Sequence, residues 1–321
     1  MDELGVAVIG VGFWGRNHVR VLSELPNVRL KAVCDMDQER AAELGVAYRI
    51  PYYTRLHMLL DRRDIDAVTI CTPTITHFKV ASEALKAGKH VLVEKPMTAT
   101  VDEAEALIKE AEGRGVNLTV GFIERFNPAI QYLKKLIDEG GLGRVILVMA
   151  RRVSRWPERI GDVGVTKDSA IHDVDVMRYI LGGEVRTVYA RMGSFQHRFE
   201  DWSEIMLQFE GGEVGFIDAN WLTPRKIRTL IVTGSEATAT LDYLTQEVSI
   251  EDYEKTLKPR IRWVEPLKLE LKCFTEAILK GDMGGLPTGL AGLEALKICE
   301  AALKSNLEGK PVEVHNPRIG R

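Results

Sequence analysis

A glycine-rich turn placed directly after the first apolar run constrains this chain more than any other feature. Val6-Ala7-Val8-Ile9 is strand-like, and Gly10-Val11-Gly12-Phe13-Trp14-Gly15 follows it without a break and opens a helical pattern. In that setting each glycine has a physical task. Gly10 permits the tight turn, Gly12 lets the backbone approach a pyrophosphate, and Gly15 lets helix and strand pack closely, while the helix N-terminus attracts phosphate charge. Elsewhere three glycines would mark only a tight connection. Between a strand and a helix they predict a dinucleotide cradle, with Phe13 and Trp14 as part of the binding turn. Asp35 closes the second strand, where its carboxylate can accept hydrogen bonds from ribose hydroxyls and repel a 2′-phosphate, so NAD is expected rather than NADP. The alternative task for Asp35 is to cap the helix beginning near Asp37.

The residues that follow keep the rhythm of βαβ units. Short strands at Arg29 to Cys34, Ala67 to Cys71, His90 to Val93 and Val116 to Val120 alternate with amphipathic stretches such as Ile75 to Ala87 and Val101 to Ala111. After Phe122 the pattern changes to a helix at Pro128 to Asp138, a strand at Val145 to Val153, a helix at Asp168 to Leu181, and a series of strands. Ser203 to Phe209 and Val214 to Trp221, joined by Glu210-Gly211-Gly212-Glu213, read as a hairpin. Two late helices, Leu267 to Leu279 and Leu290 to Leu307, close the chain. The expected fold class is α/β: residues 1–122 form a doubly wound parallel sheet of the Rossmann type. Residues 123–321 form an α+β domain with a large, mostly antiparallel open sheet, expected to bind substrate and to carry oligomerisation.

With 321 residues, 45% of them hydrophobic, the chain can bury more than one core. A formal charge of −3 provides no basic field for nucleic acid or an anionic membrane. Cys34, Cys71, Cys273 and Cys299 stand far apart, outside any CxxC or zinc spacing, which predicts a reduced compartment and no structural metal. No secretory leader pattern or membrane-length apolar run is present, so a soluble cytoplasmic protein is expected.

Cys71-Thr72-Pro73-Thr74-Ile75-Thr76-His77 ends one strand, and Ala87-Gly88-Lys89-His90-Val91-Leu92-Val93-Glu94-Lys95-Pro96-Met97 ends the next. With the glycine turn, these segments resemble the glucose-fructose oxidoreductase / inositol dehydrogenase / MocA family. The resemblance implies a cis Lys95-Pro96 bond and a Lys95 side chain that polarises the reacting hydroxyl. It also implies that Thr72, Pro73, Thr74, His77, Glu94, Lys95 and Pro96 surround the dinucleotide. On residue chemistry alone, a strand-end lysine is a solvated charge and His77 a helix-start histidine.

Asp168-Ser169-Ala170-Ile171-His172-Asp173 resembles the family's second motif, which implies His172 as general base and Asp168 as the group orienting substrate. The spacing predicts both on one face of a helix. Asp173 and Asp175 read as helix-surface carboxylates. Lys167 departs from the family pattern, where the residue before the acid is often apolar. Carboxylate and imidazole at this spacing could also be two metal ligands, but no third ligand pattern stands nearby.

Gly121 to Pro128, with Arg125 and Asn127, and Trp156 to Val165, with Arg159, resemble a subgroup acting on nucleotide sugars, including dehydrogenases of the 3-hydroxyl of UDP-N-acetylglucosamine or its uronic acid. Arg125, Asn127 and Arg159 are accordingly expected to contact substrate. The alternatives are an inositol or simple-sugar dehydrogenase and, from another class, a glycosidase that retains NAD. In the hairpin, Ile205, Leu207 and Phe209 point one way and Met206 the other, while Val214 and Phe216 oppose Ile217, Ala219 and Trp221. Both faces then carry apolar side chains, which with the resemblance predicts a homotetramer built as a dimer of dimers.

Overall fold

The structure is a computed structural model that describes residues 3–157 and 161–314. It divides into two compact units, Met1–Phe122 with Leu267–Leu293, and Ile123–Pro266 with Glu294–Arg321.

The first unit is built on six parallel strands: β1 (Leu4–Ile9), β2 (Val28–Cys34), β3 (Tyr52–Tyr53), β4 (Ala67–Ile70), β5 (His90–Glu94) and β6 (Leu118–Gly121). They lie in the order β3-β2-β1-β4-β5-β6, a doubly wound sheet whose order reverses between β1 and β4. The crossovers are α1 (Gly15–Glu24), α2 (Gln38–Tyr48), α3 (Leu56–Leu60), α4 (Thr74–Lys86) and α5 (Val101–Arg114). Central strands such as Val6-Ala7-Val8 and Val91-Leu92-Val93 are wholly buried, as parallel strands covered on both faces must be. Helix boundaries follow local chemistry: Asp37 caps α2 through Glu39 and Arg40 N–H, and Thr100 with Glu103 forms a reciprocal capping box on α5.

Leu267–Leu293 joins this unit, although a single boundary at residue 122 would leave it with the second half. Val120 N–H donates to Pro287 O at 2.9 Å, and Thr119 bridges Thr288. A Cβ at Gly292 would stand 2.7 Å from Val120 Cγ2 and 3.2 Å from Met97 Cβ. The late chain therefore packs against β6 as part of the first core.

In the second unit, α6 (Pro128–Asp138) and α7 (Ile171–Leu181) accompany nine strands. These are β7 (Val145–Arg155), β8 (Val185–Gly193), β9 (Trp202–Phe209), β10 (Val214–Asn220), β11 (Leu222–Gly234), β12 (Thr238–Asp242), β13 (Glu247–Glu251), β14 (Thr256–Leu257) and β15 (Val312–Glu313). Their order is β14-β13-β12-β11-β7-β10-β9-β8-β15, antiparallel except for β7 beside β10. Two long helices, α8 (Pro266–Lys280) and α9 (Gly289–Glu308), complete the chain.

The hairpin forms as its alternation predicts. Ile205, Leu207, Phe209, Ile217 and Ala219 are buried, whereas Met206 and Phe216 are about 40% exposed. The register sets Met149, Phe216 and Met206 side by side across β7, β10 and β9, with Arg151, Asp218 and Glu204 as the adjoining row. An apolar strip bordered by charge thus runs along one sheet face.

Candidate functional site

In the first unit the three glycines stand in different surroundings. Gly10 has φ +82°, and a Cβ there would lie 2.7 Å from Thr72; a Cβ at Gly15 would overlap Gly10 O at 1.9 Å. At Gly12 an added Cβ would meet only Arg40 Nη1, at 3.8 Å, so this part of the turn is open to a ligand. Phe13, Met36 and Ile75, each more than 60% exposed, stand just beyond β1 and β2 and at the start of α4. Open backbone with apolar side chains at the strands' carboxyl ends fits a dinucleotide, whose phosphates need N–H donors and whose rings need apolar surface. When bound, NAD supplies the acceptor for a hydride.

Asp35 fastens this cradle from beneath. Its Oδ2 accepts Val11 N–H at 2.8 Å and its Oδ1 accepts Asp37 N–H at 2.9 Å, leaving the helix cap itself to Asp37. Arg40 Nη1 stands 4.0 Å from Asp35 and pairs with Asp37 through Nε.

Glu94, at the end of β5, is held by Trp14 Nε1–H at 2.7 Å and faces His18 Nε2 at 3.2 Å. Burial pushes its carboxyl up, but His18, Lys95 and the Trp14 donor outweigh that effect and keep it below the ordinary value. Glu94 therefore serves as an anionic anchor under the turn. The Lys95-Pro96 bond is cis, as the resemblance implied. His77, 1% exposed, has Nδ1 2.8 Å from Pro96 O and Nε2 2.8 Å from Thr72 O, so its ring ties the Lys95-Pro96 corner to the end of β4. Pro73 and Thr74 begin α4 beside it.

In the second unit Asp168 does not lie on a regular α-helix. Thr166–Ala170 forms a π turn, with Ile171 N–H reaching back to Thr166 O, and α7 starts only afterwards. A widened turn of this kind is frequent at functional sites, and it carries Asp168 just ahead of α7. The entry to this turn is anchored by Glu200. Val165 N–H donates to Glu200 O and Thr166 N–H to Glu200 Oε1, while a Cβ at Gly164 would collide with the Glu200 carboxylate at about 2.1 Å. Lys167, the departure from the family pattern, pairs with Glu300 of α9 at 3.3 Å. Asp168 Oδ2 accepts the Ser169 hydroxyl at 3.1 Å, and Ser169 Oγ accepts Trp221 Nε1–H at 3.2 Å.

Asp173 and Asp175 are not surface carboxylates. Both are essentially buried, Asp173 bound by Arg152 at 2.7 and 3.1 Å and Asp175 by Arg125 at 2.7 and 2.6 Å. Arg152 also reaches Glu124 at 3.0 Å, and Tyr243 OH donates to Asp173 at 3.1 Å. Burial opposes the Arg152 charge, yet Asp173 and Glu124 outweigh it and hold the guanidinium firmly protonated. Asn127 is 1% exposed, caps α6, and donates to Glu124 and Tyr243 O. The structure thus gives Arg125 and Asn127 internal partners that shape the start of this unit. Arg159 lies outside the described residues. Among those described, no group of His, Cys, Asp and Glu side chains is arranged to hold a metal ion, and no helix is long and apolar enough to cross a membrane.

Residues 4–122 match the model of the oxidoreductase family with an NAD-binding Rossmann fold, GFO/IDH/MocA, and residues 130–240 match that family's C-terminal domain. An uncharacterized oxidoreductase of Bacillus subtilis, YrbE, is 33% identical over 99% of this chain and 98% of its own length. The chain belongs to the GFO/IDH/MocA family. Among relatives in that family, UDP-N-acetylglucosamine 3-dehydrogenase of Acidithiobacillus ferrooxidans is 33% identical over 78% of this chain and 77% of its own. Its solved structure covers 96% of this chain and 98% of that one, with a TM-score of 0.86 at 31% identity. Inositol 2-dehydrogenase 2 of Saccharopolyspora erythraea is 30% identical over 97% of this chain and 96% of its own. As a GFO/IDH/MocA member with an NAD-binding first domain, the protein is an oxidoreductase.

Proposed function

We propose that the protein oxidises a secondary hydroxyl of a nucleotide sugar, with NAD as hydride acceptor, and that the 3-hydroxyl of UDP-N-acetylglucosamine or its uronic acid is the first candidate. The observation that carries the chemistry is the π turn locked by Glu200, which presents Asp168 one hydrogen bond from Ser169 and leads into α7 at His172. In this reading His172 takes the hydroxyl proton, Asp168 orients the hydroxyl, and Lys95 stabilises the developing alkoxide charge. Asp35 and the Gly10–Gly15 turn hold the dinucleotide.

The nucleotide-sugar preference draws support from the 33% identity to the A. ferrooxidans enzyme. A second reading, an inositol dehydrogenase, is favoured by the 30% identity that runs through 97% of the chain. A panel of UDP-sugars, inositols and simple sugars, followed by NADH absorbance, separates them. Turnover confined to inositols would overturn the nucleotide-sugar reading, and release of free sugar without net NADH would mark a glycosidase that retains its cofactor.

The apolar strip of Met149, Phe216 and Met206 supports pairing of the protein with copies of itself through the open sheet face, as a dimer of dimers. Light scattering at micromolar concentration tests this, and an active monomer there would refute it. The four free cysteines accord with a cytoplasmic setting.

A further inference from the structure

The second unit contains a cavity of about 810 Å³ that the chemistry above does not use. This volume is in the range of small-ligand sites, roughly 300–1,000 Å³. Its wall comprises Arg155 and Trp156 at the end of β7, Phe195 and Gln196 from the loop before β9, and Trp221 and Leu222 at the start of β11.

The wall is constructed rather than incidental. Asp201, with no exposure to solvent, accepts the backbone N–H groups of Phe195, Gln196 and His197 at 2.6–3.1 Å, which fixes the loop that carries them. The Trp156 ring packs edge-on against His197 and Trp221, with centroids 4.4 Å and 5.3 Å away. Phe195, in contrast, is 78% exposed. Arg155 is the one charged side chain among the described lining residues, and Arg225 follows the lining Pro224 in sequence. The same wall reaches the candidate site within its own unit, since Trp221 Nε1 donates to Ser169 Oγ and Ser169 to Asp168.

A polyol calls for many hydrogen-bonding side chains, and this wall offers a single amide, Gln196. Aromatic faces with one guanidinium suit a planar base joined to a phosphate group. We propose that the cavity takes the nucleoside diphosphate half of the substrate, with the base stacked against Trp156 and Phe195, Gln196 at the base edge and Arg155 on the diphosphate. This inference rests on the nucleotide-sugar reading above and names the groups that select it. The arginine that serves the diphosphate is then Arg155, four residues before the one singled out from sequence.

The test titrates UDP and uridine into the full chain with NAD present, followed by tryptophan fluorescence and calorimetry. The wild type is compared with Trp156→Ala, Phe195→Ala and Arg155→Met. Trp156→Ala is expected to weaken UDP binding about ten- to a hundred-fold, the loss of one stacking platform. Arg155→Met is expected to lose the advantage of UDP over uridine. With a nucleotide sugar as substrate, KM rises in these variants while kcat is kept. Phe195 is exposed enough to be replaced without disturbing the core, so the test survives if Trp156→Ala does not fold. UDP binding unchanged in all three variants, with nucleotide sugars still turned over, would overturn the cavity assignment alone. Failure of the wild type to bind UDP or oxidise any nucleotide sugar, with inositol turned over, would overturn the underlying reading and this proposal with it.

Discussion

Arg152 of β7 and Asp173 of α7 meet through two hydrogen bonds, at 2.7 and 3.1 Å, with both side chains almost wholly withdrawn from solvent. Asp173 follows His172 directly, so this pair pins the first turn of α7 to the sheet. Replacing Arg152 with Met leaves Asp173 buried without its guanidinium partner and Glu124 with only the more distant Arg228, 3.5 Å away, at an expected cost of about 3–5 kcal/mol. Urea denaturation measures it. Adding Asp173→Leu should recover part of the loss, and an unchanged midpoint in the single variant would show that the pair does not hold α7.

That pair also illustrates where sequence reading stops. The Gly10–Gly15 turn, the parallel strands and the late helices were legible because each depends on neighbours a few residues away. Asp173 and Asp175 were not, since nothing local distinguishes a solvated helix carboxylate from one whose arginine lies 21 or 50 residues earlier. The anchor of the π turn was hidden for the same reason: Glu200 is 34 residues downstream of Thr166. Trp156 and Trp221 each look like strand-end aromatics, and only the β7–β11 arrangement places them on one cavity wall.

Lys95→Met should retain NAD binding and lose turnover roughly 10²–10³-fold, as expected for removal of one group acting on transition-state charge. Stopped-flow NADH formation with saturating substrate provides the measurement. Near-normal kcat would remove Lys95 from the reaction.

His172→Ala should lower kcat/KM about 10²–10⁴-fold and abolish the acid limb of its pH profile, because the group that must be deprotonated to accept the hydroxyl proton is gone. A residual profile of wild-type shape would assign the base elsewhere.

Asp35→Ser should narrow the preference for NAD over NADP, since the carboxylate beside the ribose position is removed. It should also loosen the turn, because Val11 N–H loses its 2.8 Å acceptor. Comparing kcat/KM for the two cofactors decides it, and equal efficiencies in the wild type would contradict the argument at its root.

Glu204, on the open sheet face, has its carboxyl pushed from 4.5 up to about 7 by partial burial and by the neighbouring Asp218. Between those values the folded chain keeps a proton that the unfolded chain has released. Stability contributed at low pH is therefore lost as pH rises from about 4.5 to 7. Glu204→Gln should flatten that decline in thermal melts taken across the window. A decline of undiminished slope in the variant would place its origin at another group.

The division of the first unit between the two ends of the chain has a bearing on its synthesis. Domains ordinarily fold in the order in which they leave the ribosome. Here β6 reaches its final neighbours only when Pro287, Thr288 and Gly292 have been made. By then all of Ile123–Pro266 has been translated. The nucleotide-binding half is thus begun first and completed last. A nascent chain halted in the second half carries an unfinished first core, and a fragment ending at Phe122 lacks the segment that packs on β6.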